Sequence, residues 1–188
     1  MRVFSFRPAL TLRGRKFNGL RGWAGKPSHP PLTDIPVAAY LFAAAFDLIS
    51  LLGRNHTWAL DFHHAATYTL IGGAAVSSLA ALTGFWDWLR STPKGTQARR
   101  TVNTHAWIMI TVTVLVLVDI ILRLTEPAGT THSGAGVLVL SLLAAGLVTL
   151  GASYGGTLVY DYGFNVETAG DHPVWHVSET DVLPGERP

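Results

Sequence analysis

The chain has 188 residues, 48% apolar and 14% charged, with a mean hydropathy of +0.30, whereas an ordinary soluble domain carries roughly 25% charged residues. A formal charge of only +2, with the basic residues gathered at the ends of apolar segments, gives no stripe to track phosphates and argues against nucleic acid as a partner. The lack of cysteine excludes disulfides, thiolate metal sites and cysteine-ligated iron–sulfur clusters, so a metal or haem would have to be held by histidine, carboxylate or methionine.

Residues 1–28 read as a basic arm, broken by Pro8, Gly14, Gly19, Gly22 and Gly25 and without the continuous apolar run of a secretory signal. Four apolar segments then predict an all-α, four-helix transmembrane domain over residues 29–163. The first span, about 35–52, is preceded by Pro30 and Pro31, with Thr33 or Asp34 placed to cap its free amides, and it contains Asp47. The second, about 65–89, is long enough at about 1.5 Å per residue to cross a hydrocarbon layer of roughly 30 Å. It ends in Phe85, Trp86, Trp88 and Arg90, side chains suited to the headgroup region, and Pro93 and Gly95 make a short connection. The third covers 106–124 and is stopped by Pro127 and Gly129; the fourth covers 136–160. Residues 164–188 form a polar tail.

Lys and Arg crowd the N-terminal arm and the loop bearing Arg90, Lys94, Arg99 and Arg100, while the opposite side has Arg54 and Arg123, so both termini are expected on the cytoplasmic side of a bacterial cell membrane. This topology sorts the polar residues by depth. His29, Asp87, His105 and Tyr160 fall at the inner side; Asp47, His63, His64, Asp119 and Arg123 fall toward the outer side. Small residues at helical spacing, Gly73, Ser77, Ala80 and Gly84 on span two and Ala145, Thr149, Ser153 and Gly156 on span four, predict packing seams.

A carboxylate inside a span costs on the order of 3 kcal/mol even on the lenient insertion scale, so Asp47 and Asp119 need compensation. Arg123 lies one turn beyond Asp119 and can pair with it, and His64 lies at similar depth, which makes Asp47, His64, Asp119 and Arg123 the ion or proton candidates. The plainer alternative is mutual neutralisation of Asp119 and Arg123, with Asp47 protonated or bonded to a neighbouring helix. His56, His63 and His132 sit in or beside the outer loops, where solvent exposure accounts for them. At the inner side, His29 and His105 can converge on one b-type haem or a metal between helices, with Asp87 and Tyr160 beside them; the plainer alternative is that His29, in a His-Pro turn, caps a helix and His105, beside Trp107, hydrogen-bonds at the interface. No helix carries the two stacked histidines of a di-haem cytochrome. Phosphate loops, nucleophile elbows and paired catalytic carboxylates are all missing, so the sequence gives no enzymatic motif.

His29-Pro30 with Pro36, Asp47, Gly84 and Asp87, His105, and Gly155-Gly156-Thr157-Leu158-Val159-Tyr160 with Gly163 and Val166 together resemble the bacterial membrane family of domain of unknown function 2231, over about residues 20 to 168. Some members of that family carry a Rieske domain after the fourth helix, and Pro173-Val174-Trp175-His176-Val177 to Asp181-Val182-Leu183-Pro184-Gly185 resembles its opening, without the cluster ligands. The resemblance implies an association with redox chemistry and a separate redox protein as partner; a larger membrane complex would be the partner of a purely structural subunit. Three functions remain open to such a chain: support of membrane electron transfer through a single haem or as an anchor for a redox partner, a proton, ion or small-solute transport element, and a structural accessory subunit. Self-association is compatible with each.

Overall fold

The computed structural model describes residues 27–90 and 92–166. It contains four long helices, α1 (His29–Leu52), α2 (Ala59–Arg90), α3 (Gln97–Leu124) and α4 (Ala135–Gly156), and α4 runs on into a π-helical turn, Thr157–Asp161. All four are long and apolar enough to cross a membrane. Most of the basic arm and of the polar tail, including His172 and His176, lies outside the described residues.

Helix α1 begins six residues before the predicted span. Pro30 and Pro31 occupy its first turn, where a missing N–H costs nothing because that amide has no intrahelical acceptor. Ser28 stands at the N-cap without a side-chain cap, so Thr33 and Asp34 are not caps; the Thr33 hydroxyl donates back to the Pro30 carbonyl, 2.7 Å away. Helix α2 also begins six residues early and extends to Arg90. Helix α3 gains about two and a half mostly polar turns at its start, capped by Thr96, whose hydroxyl accepts from the Arg99 amide at 3.1 Å. The connections turn at Gly95 (φ 82°) and Gly129 (φ 100°), both in the left-handed region that favours glycine.

The helices form an antiparallel ring. α1 packs on α2, α2 on α3, α3 on α4, and α4 closes back on α1, while the diagonal pairs keep their backbones apart among the described residues. The side chains that fill the centre are Ala39, Tyr40, Ala43, Leu70, Val112, Val116, Ala144 and Val148. Backbones approach closely where Gly73 of α2 meets Ala39 and Tyr40, since a Cβ there would lie 2.7 Å from the Ala39 Cβ. The α2 seam therefore forms as the small-residue spacing predicts. The α4 seam is rotated: Ser141, Ala144, Ala145, Val148 and Gly151 are buried, and Thr149 and Ser153 face outward.

The polarity of the molecule is inverted relative to a soluble bundle. Leu52, Tyr68, Leu82, Ile121 and Leu143 are exposed, whereas Asp47, His63, Asp87, Asp119, Arg123 and Ser133 are buried. A protein in water could not expose so much large apolar surface, and in lipid this surface needs no partner.

Candidate functional sites at the two ends of the bundle

Two polar clusters lie inside the ring, one at the end where α1 begins and α4 finishes (the terminal end), the other beneath the α1–α2 and α3–α4 connections (the loop end). On α3, His105 and Asp119 are fourteen residues apart, about 21 Å along the axis. Val112 and Val116 lie between them, and Tyr40, Leu70 and Val148 bring the other helices into the same apolar layer.

At the terminal end, His29 of α1 and His105 of α3 reach across the diagonal. Their ring centroids are 6.3 Å apart and their planes are inclined at 86°. His29 Nδ1 lies 2.8 Å from the Ala80 carbonyl of α2, and His105 Nδ1 lies 2.8 Å from the Gly151 carbonyl of α4. A carbonyl only accepts, so each Nδ1 carries a proton and donates, and in the neutral form of such a ring the lone pair lies on Nε2. Neither Nε2 has a hydrogen-bond partner among the described residues. Gly84 makes room for the first ring, because a Cβ at that position would meet His29 Cε1 at 2.6 Å; Gly155 stands against the second, with a Cβ position 3.4 Å from His105 Cε1.

The other two residues expected here part company. Asp87 is buried one turn beyond Gly84, while Tyr160, on the π-helical turn, is 87% exposed and does not join the histidines. The added residue per turn of a π-helix rotates the side chains beyond it, and the sequence carries no sign of that rotation. Around the cluster, Trp88 Nε1 donates to Asn103 Oδ1 at 2.7 Å, Arg99 donates to the Trp88 carbonyl, and the Arg90 guanidinium lies 5.0 Å from the Trp86 ring. Such amphipathic and cationic side chains suit a membrane–water interface.

At the loop end, the Arg123 guanidinium is shared by two carboxylates. Its Nη2 donates to Asp47 Oδ2 at 2.5 Å and its Nε donates to Asp119 Oδ1 at 3.0 Å, with all three side chains sealed from solvent. Nη1 reaches Thr67 Oγ1 at 3.3 Å. Asp47 is therefore bonded to a neighbouring helix, and the Asp119–Arg123 pair forms as its spacing predicts. A second branch leaves the other oxygen of Asp47: Ser133 Oγ donates to Asp47 Oδ1 at 2.7 Å, His63 Nδ1 lies 3.1 Å from Ser133 Oγ, and His63 Nε2 lies 2.9 Å from Glu126 Oε2. Ser50 holds the two connections together, donating to the Ala59 carbonyl at 2.7 Å and accepting from the Ser133 amide at 2.9 Å.

Two residues correct the sequence reading. His63 is buried in this network, not solvated, and His64 is exposed on the outer surface, its ring stacked 6.1 Å from that of Tyr68. Ser133 and Glu126, both in the α3–α4 connection, join the network without any pattern in the sequence that marks them. The signal for His63 is present: extending the seam Gly84–Ala80–Ser77–Gly73 toward the N-terminus by threes and fours passes through Leu70 and Thr67 to His63.

The model of a family described as predicted membrane protein (DUF2231) matches residues 25–168. The chain belongs to the DUF2231 family. Neither a curated protein nor a solved structure matches it. The match spans all four helices and both clusters, so this DUF2231 chain carries His29, His105 and the Asp47–Arg123–Asp119 group inside the family's own segment.

Proposed function

We propose that this DUF2231 protein binds one b-type haem through His29 and His105 and supports electron transfer at the terminal end of the bundle, in a bacterial cell membrane, with a separate redox protein as its partner. The observation that carries this reading is the paired imidazoles, each anchored through Nδ1 and each presenting Nε2 without a partner among the described residues, with centroids 6.3 Å apart. Two imidazole nitrogens at about 2.0–2.1 Å from a shared metal place their ring centroids about 6 Å apart. The donor set fits a haem better than a bare ion. A porphyrin brings four nitrogens of its own and asks for two from the protein, whereas a bare ion needs more, and among the described residues no group of three His, Cys, Asp or Glu gathers to hold one.

In that role the Ala80 and Gly151 carbonyls fix the orientation of the rings and raise the basicity of Nε2, as such carbonyls do behind metal-binding histidines. Gly84 and Gly155 keep the flanks of the rings clear. The apolar layer of Tyr40, Leu70, Val112 and Val148 keeps the site apart from the charges at the loop end. A bound haem supplies a one-electron couple whose potential depends on its axial ligands and burial. The tryptophan and arginine residues beside the site set it near the aqueous boundary, within reach of a soluble partner.

The test is the optical spectrum of the purified protein, as isolated and after incubation with haemin. A Soret band that sharpens on reduction, is lost in His29→Ala and in His105→Ala, and survives Tyr160→Phe is the expected result. Wild-type protein with no Soret band under either condition overturns the proposal.

A further inference from the structure

The loop end has chemistry that electron transfer at the terminal end does not use. Starting from Asp47, the hydrogen bonds have only one consistent direction. Asp47, paired with Arg123, accepts at both oxygens, so the single Ser133 proton points at Asp47 Oδ1. With that proton committed, His63 Nδ1 must donate to Ser133 Oγ. The remaining ring nitrogen, Nε2, faces a carboxylate oxygen at 2.9 Å, and one proton must lie between them, on the imidazole or on Glu126. The chain Glu126–His63–Ser133–Asp47 thus runs from a carboxylate that keeps 20% of its side chain accessible to one that is fully buried, each donor already aimed at the next acceptor.

We propose that this chain is a proton relay that loads Asp47 from the aqueous phase at the loop end. Glu126, protonated from water, gives its proton to His63 Nε2, breaking its O–H bond and forming N–H. His63 Nδ1 passes its own proton to Ser133 Oγ, and Ser133 passes its own to Asp47 Oδ1. One proton has then moved from Glu126 to Asp47, and His63 is left neutral in the other tautomer. Asp47 as a neutral acid no longer attracts Arg123 as an ion, and the guanidinium is left to Asp119, at 3.0 Å, and Thr67, at 3.3 Å. The groups facing His63 are Asp47 from α1, His64 from its own helix, Arg123 from α3, and Ser133 and Glu126 from the α3–α4 connection. Their balance decides when the relay is loaded. The apolar layer beneath stops the proton at Asp47, so this is a store filled from one side and not a pore.

The experiment is time-resolved infrared spectroscopy of the full chain in lipid nanodiscs after a rapid drop in pH. A carboxylic-acid C=O band should appear, move on aspartate isotope labelling, and be missing in Asp47→Asn. Glu126→Gln, which keeps the size of the side chain, and Ser133→Ala should each delay its appearance by roughly 10²-fold, the lower range of what a positioned proton-transfer group contributes. Glu126→Asp should restore most of the rate. A labelled-aspartate band that rises equally fast in Glu126→Gln, Ser133→Ala and wild type, or no such band in wild type, overturns the relay.

Discussion

The two ends of the bundle solve the problem of polar groups in lipid in opposite ways. At the loop end polar atoms are saturated: Asp47 accepts from Ser133 and Arg123, and the guanidinium of Arg123 is divided between Asp47, Asp119 and Thr67. At the terminal end each histidine makes one hydrogen bond, to a helix carbonyl, and keeps one nitrogen unused among the described residues. A charged group must be compensated within the fold or it will not stay in the membrane, whereas a neutral imidazole can hold a lone pair in reserve at modest cost. The first cluster therefore contributes to stability as well as to the proton chain, and the second leaves two ring nitrogens unused among the described residues.

The largest effect that separates them is expected from Arg123→Met. The change leaves Asp47 and Asp119 buried without their cation, and removal of one partner from a buried ion pair costs about 3–5 kcal/mol. Reversible unfolding in mixed micelles should show a loss of that size for Arg123→Met and a much smaller one for His105→Ala. Equal losses would mean that the histidines carry as much of the fold as the ion network does.

A smaller effect of the opposite kind is expected from Gly84→Ala. The new Cβ would lie 2.6 Å from His29 Cε1, so the ring must move, at a cost of about 1–3 kcal/mol for overpacking. The signature lies in the site: haemin reconstitution should fail or give an altered Soret band while the infrared response of Asp47 stays that of wild type. Disturbance of both readouts would show that the apolar layer transmits strain between the ends.

Most of the architecture is legible from hydropathy, because a bilayer demands long apolar helices and the turn residues punctuate them. The starts of α1 and α2 are not, since His29–Asp34 and Ala59–His64 are polar enough to read as loop although the helix continues through the interfacial region. The juxtaposition of Asp47, Asp119 and Arg123 follows from depth and from an i, i+4 spacing. Glu126 and Ser133 cannot be found that way. They belong to a connection that folds back over the bundle, and no periodicity governs where a loop places its side chains. The fate of Tyr160 turns on a π-helical turn, a local rotation with no recognisable composition behind it.

The smallest expected effect distinguishes two adjacent histidines. His63 and His64 lie at the same depth, their ring centroids 5.8 Å apart, yet a step of about 100° around the helix puts one inside the network and the other on the outer surface. The choice between them rests on the rotation of α2, and that rotation is fixed by the seam through Gly73 and Gly84, far from either residue. His64→Ala should change stability by no more than about 0.5 kcal/mol, as for an exposed side chain whose ring stacks on that of Tyr68 at the surface. Asp47 should then load as fast as in wild type. His63→Ala should break both the Ser133 and the Glu126 contacts and abolish fast loading. If His64→Ala slowed the proton instead, α2 would be turned by one residue in the membrane, and the stripe from His63 through Thr67 to Gly84 would face lipid, where a histidine has no hydrogen-bond partner to offset its burial.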